Sequence, residues 1–268
     1  MDRINNAIAK ARASRENLDA RWPSRPVIER KSTDSVADWS SLPEFEISAE
    51  IFDKSHIVAH KAGPAAIPFD LMRSSMVHKL QTNGWTRVAI TSPDAGCGKT
   101  TVTLNLAFSL ARMSDLRVMV LELDLRRPMI SRSLGLDRNQ QLSAVLQGTM
   151  SPETQLLRLG PRLALGCNSA PADSPAELLS SVGAANVVDA IEASYRPDII
   201  LFDMPPLTAG DDTFAFLDQV DCALMIAAAE ETSINLIDQC GKELADRTQV
   251  LGVILNKCRL TDRNNIYC

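Results

Sequence analysis

A run of eight residues between an apolar segment and a segment of helical pattern has the composition of a phosphate-binding loop: Pro93-Asp94-Ala95-Gly96-Cys97-Gly98-Lys99-Thr100. The two glycines allow main-chain N–H groups to curl toward an anion without interference from a Cβ atom. A helix that begins near Lys99 adds the positive end of its dipole. In such loops the lysine reaches the β- and γ-phosphates, and the hydroxyl that follows, here Thr100, ligates Mg²⁺. The run therefore predicts a site for ATP with Mg²⁺.

The loop departs from the usual GxxxxGK[ST] pattern at its first position, where Pro93 replaces glycine. Its cysteine, Cys97, is either a filler residue or a redox-sensitive thiol. Asn256 closes the last apolar segment, where its amide is either a contact for the adenine edge or a turn residue. The predicted nucleotide-binding residues are Asp94, Ala95, Gly96, Cys97, Gly98, Lys99, Thr100, Thr101 and Asn256.

Acidic residues follow two of the apolar segments. Glu122 and Asp124 share one side of an extended chain, so both carboxylates are expected to face the same pocket. Asp203 precedes a Met-Pro-Pro run that turns the chain away from its strand. Ligands of open α/β sheets bind at the carboxyl ends of the strands, and Mg²⁺ prefers oxygen donors. We therefore predict Thr100, Asp124 and Asp203 as magnesium residues, and Lys99, Asp124 and Asp203 as catalytic residues.

Helical and strand patterns alternate from about residue 66 onward. Short apolar segments predict strands at 86–92, 117–123, 198–202, 222–228 and 250–255. Periodic segments predict helices at 66–82, 99–113 and 233–247. The region 126–197 is predicted to be helical, with a possible short hairpin at 155–167. Almost wholly apolar strands separated by helices predict an α/β fold, with a mostly parallel sheet flanked by helices.

The first 47 residues have a different composition. Residues 2–20 have a weakly apolar stripe and a basic face, which predicts a helix that docks on a partner, lies on a membrane surface or is simply solvated. Residues 21–47 are polar, aperiodic and rich in proline, as is typical of a linker. We therefore divide the chain into an N-terminal basic helix and linker, 1–47, and an ATP-binding domain, 48–268.

Composition limits the partners and the compartment. A net charge of −5 argues against binding to nucleic acid through bulk positive charge. No apolar run approaches the roughly 18–20 residues needed to span a bilayer, and the first residues lack the apolar core of a secretory signal. The six cysteines form no CxxC pair, which favours reduced thiols in the cytoplasm.

Together, Gly-Cys-Gly-Lys-Thr at 96–100, Glu-Leu-Asp-Leu-Arg at 122–126 and Asp-Met-Pro-Pro at 203–206 match a known set of motifs. In this order they resemble the Walker A, A-prime (DxDxR) and Walker B motifs of the bacterial tyrosine kinases of capsule and exopolysaccharide biosynthesis, the cytoplasmic CpsD/CapB type. The resemblance covers roughly residues 66–258 and implies a MinD-like P-loop NTPase fold. It also implies that Lys99, Thr100, Asp124 and Asp203 are the ATP and Mg²⁺ residues, with Asp124 as the base for a tyrosine hydroxyl.

The same resemblance implies partners. Kinases of this type commonly work with an inner-membrane protein of the chain-length-regulator (Wzz-like) type, which would place this chain at the inner face of the membrane. They also form homo-oligomers through an ExxRxxR helix, of which only Arg73 stands in place here. Asp94 occupies the position of the signature lysine of ParA/MinD partitioning ATPases, which counts against a dimerisation switch of that type.

Two functions fit these motifs. The first is a protein-tyrosine autokinase that phosphorylates itself or a partner, with Tyr267 as the candidate acceptor in place of the family's tyrosine-rich tail. The second is an ATPase switch that controls assembly of the polysaccharide complex with little or no tyrosine transfer. The family usually has aspartate at the position of Glu122, and it has several C-terminal tyrosines where this sequence has one. Both functions therefore stay open.

Overall fold

The computed structural model describes residues 39–136 and 139–258, which contain a seven-stranded sheet in the order β3-β4-β2-β5-β1-β6-β7. All neighbouring strands are parallel except β3 and β4, which form an antiparallel hairpin. The strands are β1 (Arg87–Thr91), β2 (Val118–Glu122), β3 (Leu156–Leu159), β4 (Leu163–Gly166), β5 (Ile199–Asp203), β6 (Cys222–Ala228) and β7 (Gln249–Asn256).

Helices cover both faces of this sheet, as expected for parallel strands joined by crossover connections. The α-helices are α1 (Ala49–Lys54), α2 (Ile67–Asn83), α3 (Lys99–Ala111), α4 (Ile130–Ser133), α5 (Leu142–Leu146), α6 (Pro152–Gln155), α7 (Pro175–Ser180), α8 (Val182–Tyr195), α9 (Asp212–Phe216) and α10 (Ile234–Ala245). One apolar cluster lies under α2 and α3, and a second lies under α5, α8 and α10.

The four central strands β1, β2, β5 and β6 are buried along their whole length. Their register brings their carboxyl ends level: Asp203 of β5 lies opposite Ile90 of β1 on one side and Glu122 of β2 on the other. The phosphate loop follows β1, and the Asp124 segment follows β2. The sheet therefore brings three sequence motifs that are far apart in the chain to one edge.

The two outer strands, β3 and β7, differ in what lies along them. Beside β3, a short strap at residues 43–45 adds main-chain hydrogen bonds, from Phe45 N to Arg158 O (2.9 Å) and from Arg158 N to Pro43 O (2.8 Å). The strap is anchored by Trp39, whose Nε1 donates to Tyr195 O at 2.7 Å and whose ring lies under the Arg117 guanidinium. Outer strand β7 instead carries exposed apolar side chains at positions 250, 253 and 255.

These observations confirm the predicted α/β fold. The strands and helices predicted from residue 66 onward are all present, with ends shifted by a few residues, and the hairpin predicted at 155–167 is formed by β3 and β4. The helix predicted at 2–20 and most of the linker lie outside the described residues, so the domain boundary at 47 stays a prediction. Residues 39–42 place two buried side chains, Trp39 and Leu42, in the core.

Helix α2 contains the segment that resembles the family's oligomerisation helix. Its Asp70 accepts hydrogen bonds from both terminal nitrogens of Arg112 (2.9 and 3.0 Å), the residue that caps the end of the neighbouring helix α3. Arg73 donates to the carbonyl of Ser109 at 2.9 Å. Both residues therefore fasten α2 to α3 within one chain.

Trp39 gives a test of the strap. Replacing it with alanine removes a buried aromatic side chain, so we expect the free energy of unfolding to fall by about 3 kcal/mol or more. Trp39→Phe keeps a buried aromatic ring but removes the hydrogen bond to Tyr195 O and part of the indole ring, so it should cost less, about 1–2 kcal/mol. Urea unfolding of the three proteins measures both values. Equal stability of the wild type and Trp39→Ala would show that the strap does not contribute to the fold.

Candidate nucleotide and magnesium site

The phosphate loop connects β1 to α3 and has the backbone shape that phosphate binding requires. Gly96 and Gly98 both have left-handed backbones, with φ of 84° and 88°. Positions 94–96 form an exposed tip, while Cys97 and Lys99 are buried. Helix α3 begins at Lys99, so its free N–H groups and positive dipole end face the loop. The loop is a ready-made cradle for an anion.

Asn256, at the end of β7, closes one side of the loop. Its Nδ2 donates to the carbonyl oxygen of Cys97 at 2.9 Å. A Cβ atom at Gly98 would stand 2.3 Å from the same Nδ2, so only glycine leaves room for this contact. The amide of Asn256 thus holds the loop in shape. Its predicted contact with adenine stays a prediction.

The segment after β5 supports the other side of the loop. Leu207 N donates to Ser92 O at 2.8 Å, and the Thr208 hydroxyl lies 2.9 Å from Pro93 O and 2.7 Å from Asp94 Oδ1. The Thr91 hydroxyl in turn donates to Pro205 O at 2.7 Å. The segment that follows Asp203 therefore fixes the first half of the phosphate loop through both main-chain and hydroxyl hydrogen bonds.

Asp203 lies directly beneath the loop and is fully buried. Its two carboxylate oxygens accept hydrogen bonds from the hydroxyls of Thr100 (2.7 Å) and Thr103 (3.2 Å), both on α3. Burial raises the pKa of Asp203 to about 6, although the nearby Lys99 and the Thr100 hydroxyl act in the opposite direction. A cation beside this carboxylate would stabilise its charged form.

Lys99 and Asp124 form the next layer of the site. Lys99 Nζ lies 3.5 Å from Asp124 Oδ2, and both side chains are about nine-tenths buried. Burial raises the pKa of Asp124, and the positive charge of Lys99 lowers it. The main chain links this layer to Asp203, because Leu123 N and Asp124 N both donate to its carbonyl oxygen (2.8 and 2.9 Å). The structure therefore brings Lys99, Thr100, Asp124 and Asp203 together.

This donor set fits a magnesium ion and a phosphate chain. A hydroxyl and a buried carboxylate 2.7 Å apart supply hard oxygen ligands beside the cradle. The left-handed backbones of Gly96 and Gly98 allow the close approach of a phosphate to the main chain. Thr100 and Asp203 would hold the ion, with Asp124 next to them.

Comparison with known proteins agrees with this geometry. The profile of the CobQ/CobB/MinD/ParA nucleotide binding domain matches residues 88–267, which is more than half of the chain. The chain belongs to this family. It is therefore a MinD-like P-loop domain, and the loop at 93–100 stays its predicted nucleotide-binding element.

Several relatives of this P-loop domain carry the name tyrosine-protein kinase. YwqD of Bacillus subtilis is 29% identical over 176 residues, covering 65% of this chain and 73% of YwqD. CpsD of Streptococcus pneumoniae is 24% identical over 176 residues, covering 63% of this chain and 75% of CpsD. EpsB of Ralstonia nicotianae is 26% identical over 231 residues, covering 81% of this chain but 30% of EpsB. The chain spans about a quarter to a third of the first curated relatives it matches.

Solved structures show the same fold. The kinase domain of VpsO is 27% identical and superimposes with a TM-score of 0.64, covering 72% of this chain and 96% of that domain. The kinase domain of Escherichia coli ETK gives a TM-score of 0.67 at 22% identity, covering 74% of this chain and 79% of that one. MinD of Pyrococcus horikoshii, solved with Mg-ADP, gives 0.54 at 23% identity, covering 66% and 72%.

Within this P-loop domain, Glu122 has a different role from Asp124. Its Oε1 accepts from Met129 N (2.6 Å) and Ile130 N (2.7 Å), and its Oε2 accepts from Asn168 N (2.7 Å). The carboxylate therefore holds the start of α4 and the end of the hairpin, and it does not face the phosphate loop with Asp124 as the alternation had predicted. Burial raises the pKa of Glu122 to about 7.

The remaining predicted residues are distributed as follows. Ala95 lies at the exposed loop tip, and Thr101 lies in the first turn of α3. Cys97 points inward, with Sγ 3.6 Å from the Thr232 hydroxyl. Tyr267 lies outside the described residues. Within the described part of the chain no group of three or more His, Cys, Asp and Glu residues forms a separate metal site.

Two residues of the site were missed in the sequence. Thr103 supplies the second hydroxyl to Asp203, and its position three residues after Thr100 on one helix face was a usable signal. Thr208 contacts the loop tip from a segment that lies more than a hundred residues further along the chain. No local pattern indicates a contact of that kind.

Glu122 predicts a pH dependence of stability. A pKa raised from 4.5 to about 7 means that the folded chain keeps a proton that the unfolded chain releases, so stability falls as pH rises through this window. We expect urea unfolding, without Mg²⁺ or nucleotide, to show this fall, and Glu122→Gln to lose much of it. The same slope in both proteins would contradict the assignment, whatever the stability difference at one pH.

Asn256 predicts a change in nucleotide affinity. Asn256→Ala removes the donor to Cys97 O and frees the loop, so we expect Mg·ADP to bind about five- to tenfold more weakly, which corresponds to one lost hydrogen bond. Asn83→Ala, which removes an exposed amide that donates to Lys79 O at the end of α2, is the matched control. Calorimetric titration measures both. Unchanged affinity in Asn256→Ala would contradict the supporting role.

Proposed function

We propose that this chain is an ATP-dependent protein-tyrosine kinase domain that transfers the γ-phosphoryl group of Mg·ATP to a tyrosine. The observation that carries the proposal is the joint placement of Lys99, Asp124 and Asp203 at the phosphate loop. The names of relatives such as YwqD and CpsD support a tyrosine hydroxyl as the acceptor. A role in exopolysaccharide or capsule biosynthesis rests on the motif resemblance.

Each residue has a defined role in this proposal. Lys99 neutralises the β- and γ-phosphates, and Thr100 and Asp203 would hold Mg²⁺, which would withdraw charge from the same oxygens. Asp124 orients the tyrosine hydroxyl and accepts its proton as the oxygen bonds to the γ-phosphorus and the bond to ADP breaks. Burial raises the pKa of Asp124, which makes this carboxylate a stronger base.

The acceptor is the least constrained part of the proposal. Tyr195 is only 1% exposed and its hydroxyl is buried, so it cannot reach another chain's active site without unfolding of the core. Tyr267 is the other tyrosine of the sequence. We therefore propose Tyr267, or a tyrosine of a partner protein, as the acceptor.

A membrane partner completes the proposal. Among the helices within residues 39–136 and 139–258, none combines the length and apolarity needed to cross a bilayer. We propose that a chain-length-regulator-type membrane protein binds the kinase, activates it through a cytoplasmic segment and holds it at the inner face of the membrane. The basic helix predicted at 2–20 is the proposed docking element.

A direct assay tests the kinase. Purified protein is incubated with Mg·ATP, with and without the cytoplasmic segment of the regulator, and mass spectrometry measures phosphate on each tyrosine. We expect phosphate on Tyr267 in the wild type and none in Tyr267→Phe. Lys99→Ala and Asp124→Asn should lose at least about a hundredfold in transfer, the range of a lost charge-stabilising or general-base group.

The controls separate the two candidate functions. Mg·ADP binding by Asp124→Asn verifies that the site is intact when transfer is lost. ATP hydrolysis that requires Lys99, with no phosphate on either tyrosine or on the regulator segment, would contradict the kinase proposal and support the ATPase switch. Full ATP binding by Lys99→Ala would contradict the role of the loop lysine.

A further inference from the structure

Arg126 and Asp212 form an ion pair beside the candidate site, between the segments that follow β2 and β5. The Nε of Arg126 donates to Asp212 Oδ2 at 2.7 Å. The two side chains differ in exposure: that of Asp212 is 1% exposed, and that of Arg126 is 46% exposed. A buried carboxylate therefore holds a guanidinium whose outer edge faces solvent.

The pair is incompletely hydrogen-bonded. Asp212 Oδ1 is buried and has no hydrogen-bond partner among the described residues. Arg126 makes no other hydrogen bond within the described part of the chain, so its two terminal nitrogens, Nη1 and Nη2, are free for a ligand. Buried carboxylate oxygens are rarely left in this way, because an unpartnered buried acceptor costs free energy.

The position of the pair points to the end of the phosphate chain. Arg126 follows Asp124 by two residues, and Asp124 lies 3.5 Å from Lys99 Nζ. Lys99 is the residue that reaches the β- and γ-phosphates in loops of this kind.

The chain also makes room for the pair. A Cβ atom at Gly210 would stand 3.0 Å from Asp212 Oδ2 and 3.5 Å from Arg126 Nη2. The Thr213 hydroxyl, next to Asp212, donates to Pro205 O at 2.8 Å and fixes the start of α9 to the turn after Asp203. The pair is thus tied to the same main-chain framework as the magnesium residues.

We propose that Arg126 binds the γ-phosphoryl group of ATP through Nη1 and Nη2, and that Asp212 is the positioning residue that aims its guanidinium. This inference rests on the proposed nucleotide site, and it adds a selectivity for ATP over ADP. A guanidinium suits this role because it offers two parallel donors to phosphate oxygens. Asp212 accepts the hydrogen bond from Nε, so Nη1 and Nη2 remain available to the phosphate.

A double-mutant cycle with two nucleotides tests the proposal. Wild type, Arg126→Ala, Asp212→Ala and the double variant are titrated with Mg·ADP and with a non-hydrolysable Mg·ATP analogue. We expect Arg126→Ala to bind the analogue at least about tenfold more weakly, with little change for Mg·ADP. Asp212→Ala should weaken analogue binding in the same direction, and the double variant should match Arg126→Ala because Asp212 acts through Arg126.

Arg127→Ala is the matched control, because it removes a neighbouring exposed guanidinium while keeping the main-chain N–H that donates to Asp124 Oδ1. If Asp212→Ala does not fold, Asp212→Asn keeps an acceptor for Nε and replaces it in the cycle. Equal loss of both nucleotides, no loss, or an equal loss in Arg127→Ala would overturn the binding role of Arg126. Additive losses would overturn the positioning role of Asp212. Tyrosine transfer enters none of these readouts, so a failed kinase assay leaves this test intact.

Discussion

A single buried carboxylate organises the site. Asp203 is fully buried, yet every part of it is used: its oxygens accept from Thr100 and Thr103, and its main-chain carbonyl accepts from the segment that contains Asp124. One residue thereby joins the phosphate-loop helix to the A-prime segment. Such a network is stable only while its hydrogen bonds are complete, so the geometry of the site depends on this carboxylate.

The parallel sheet brings these carboxylates together, and their burial costs free energy. Parallel strands end level with one another, so Asp203 lies beside Glu122 and beneath the phosphate loop. Burial raises the pKa values of both carboxylates, to about 6 and about 7, and the charge of Asp203 adds to the effect on Glu122. The fold thus concentrates buried negative charge where a cation and a phosphate chain would bind. This is the usual exchange of stability for function in a binding site.

The sequence predicts the elements of the fold well, because buried strands and amphipathic helices leave regular patterns. The apolar runs that became β5 and β6 could not be solvated, and the loop before Lys99 had the glycines that its backbone needs. Lys99, Thr100, Asp124 and Asp203 were identified because each stands next to an element end. Motif order then indicated a MinD-like P-loop domain, which the profile match confirmed.

What the sequence could not predict are side-chain directions and contacts across long separations. Glu122 turns toward the N–H groups of Met129, Ile130 and Asn168. Strict alternation does not extend past it, because the next two N–H groups both donate to one carbonyl, that of Asp203. Asn256 and Asp212 reach the site from strand and helix ends that are far from the phosphate loop in sequence. Their partners are set by the packing of the sheet, which leaves no periodic signal.

The most direct test of the central role of Asp203 is the effect of Mg²⁺ on ADP affinity in the wild type and in Asp203→Asn. The substitution keeps the size and one acceptor oxygen of the side chain but removes its charge. We expect Mg²⁺ to strengthen ADP binding by the wild type and to have little effect on the variant, with similar Mg²⁺-free affinity in both. An equal Mg²⁺ effect in the two proteins would contradict the account, because the metal would then be held without Asp203.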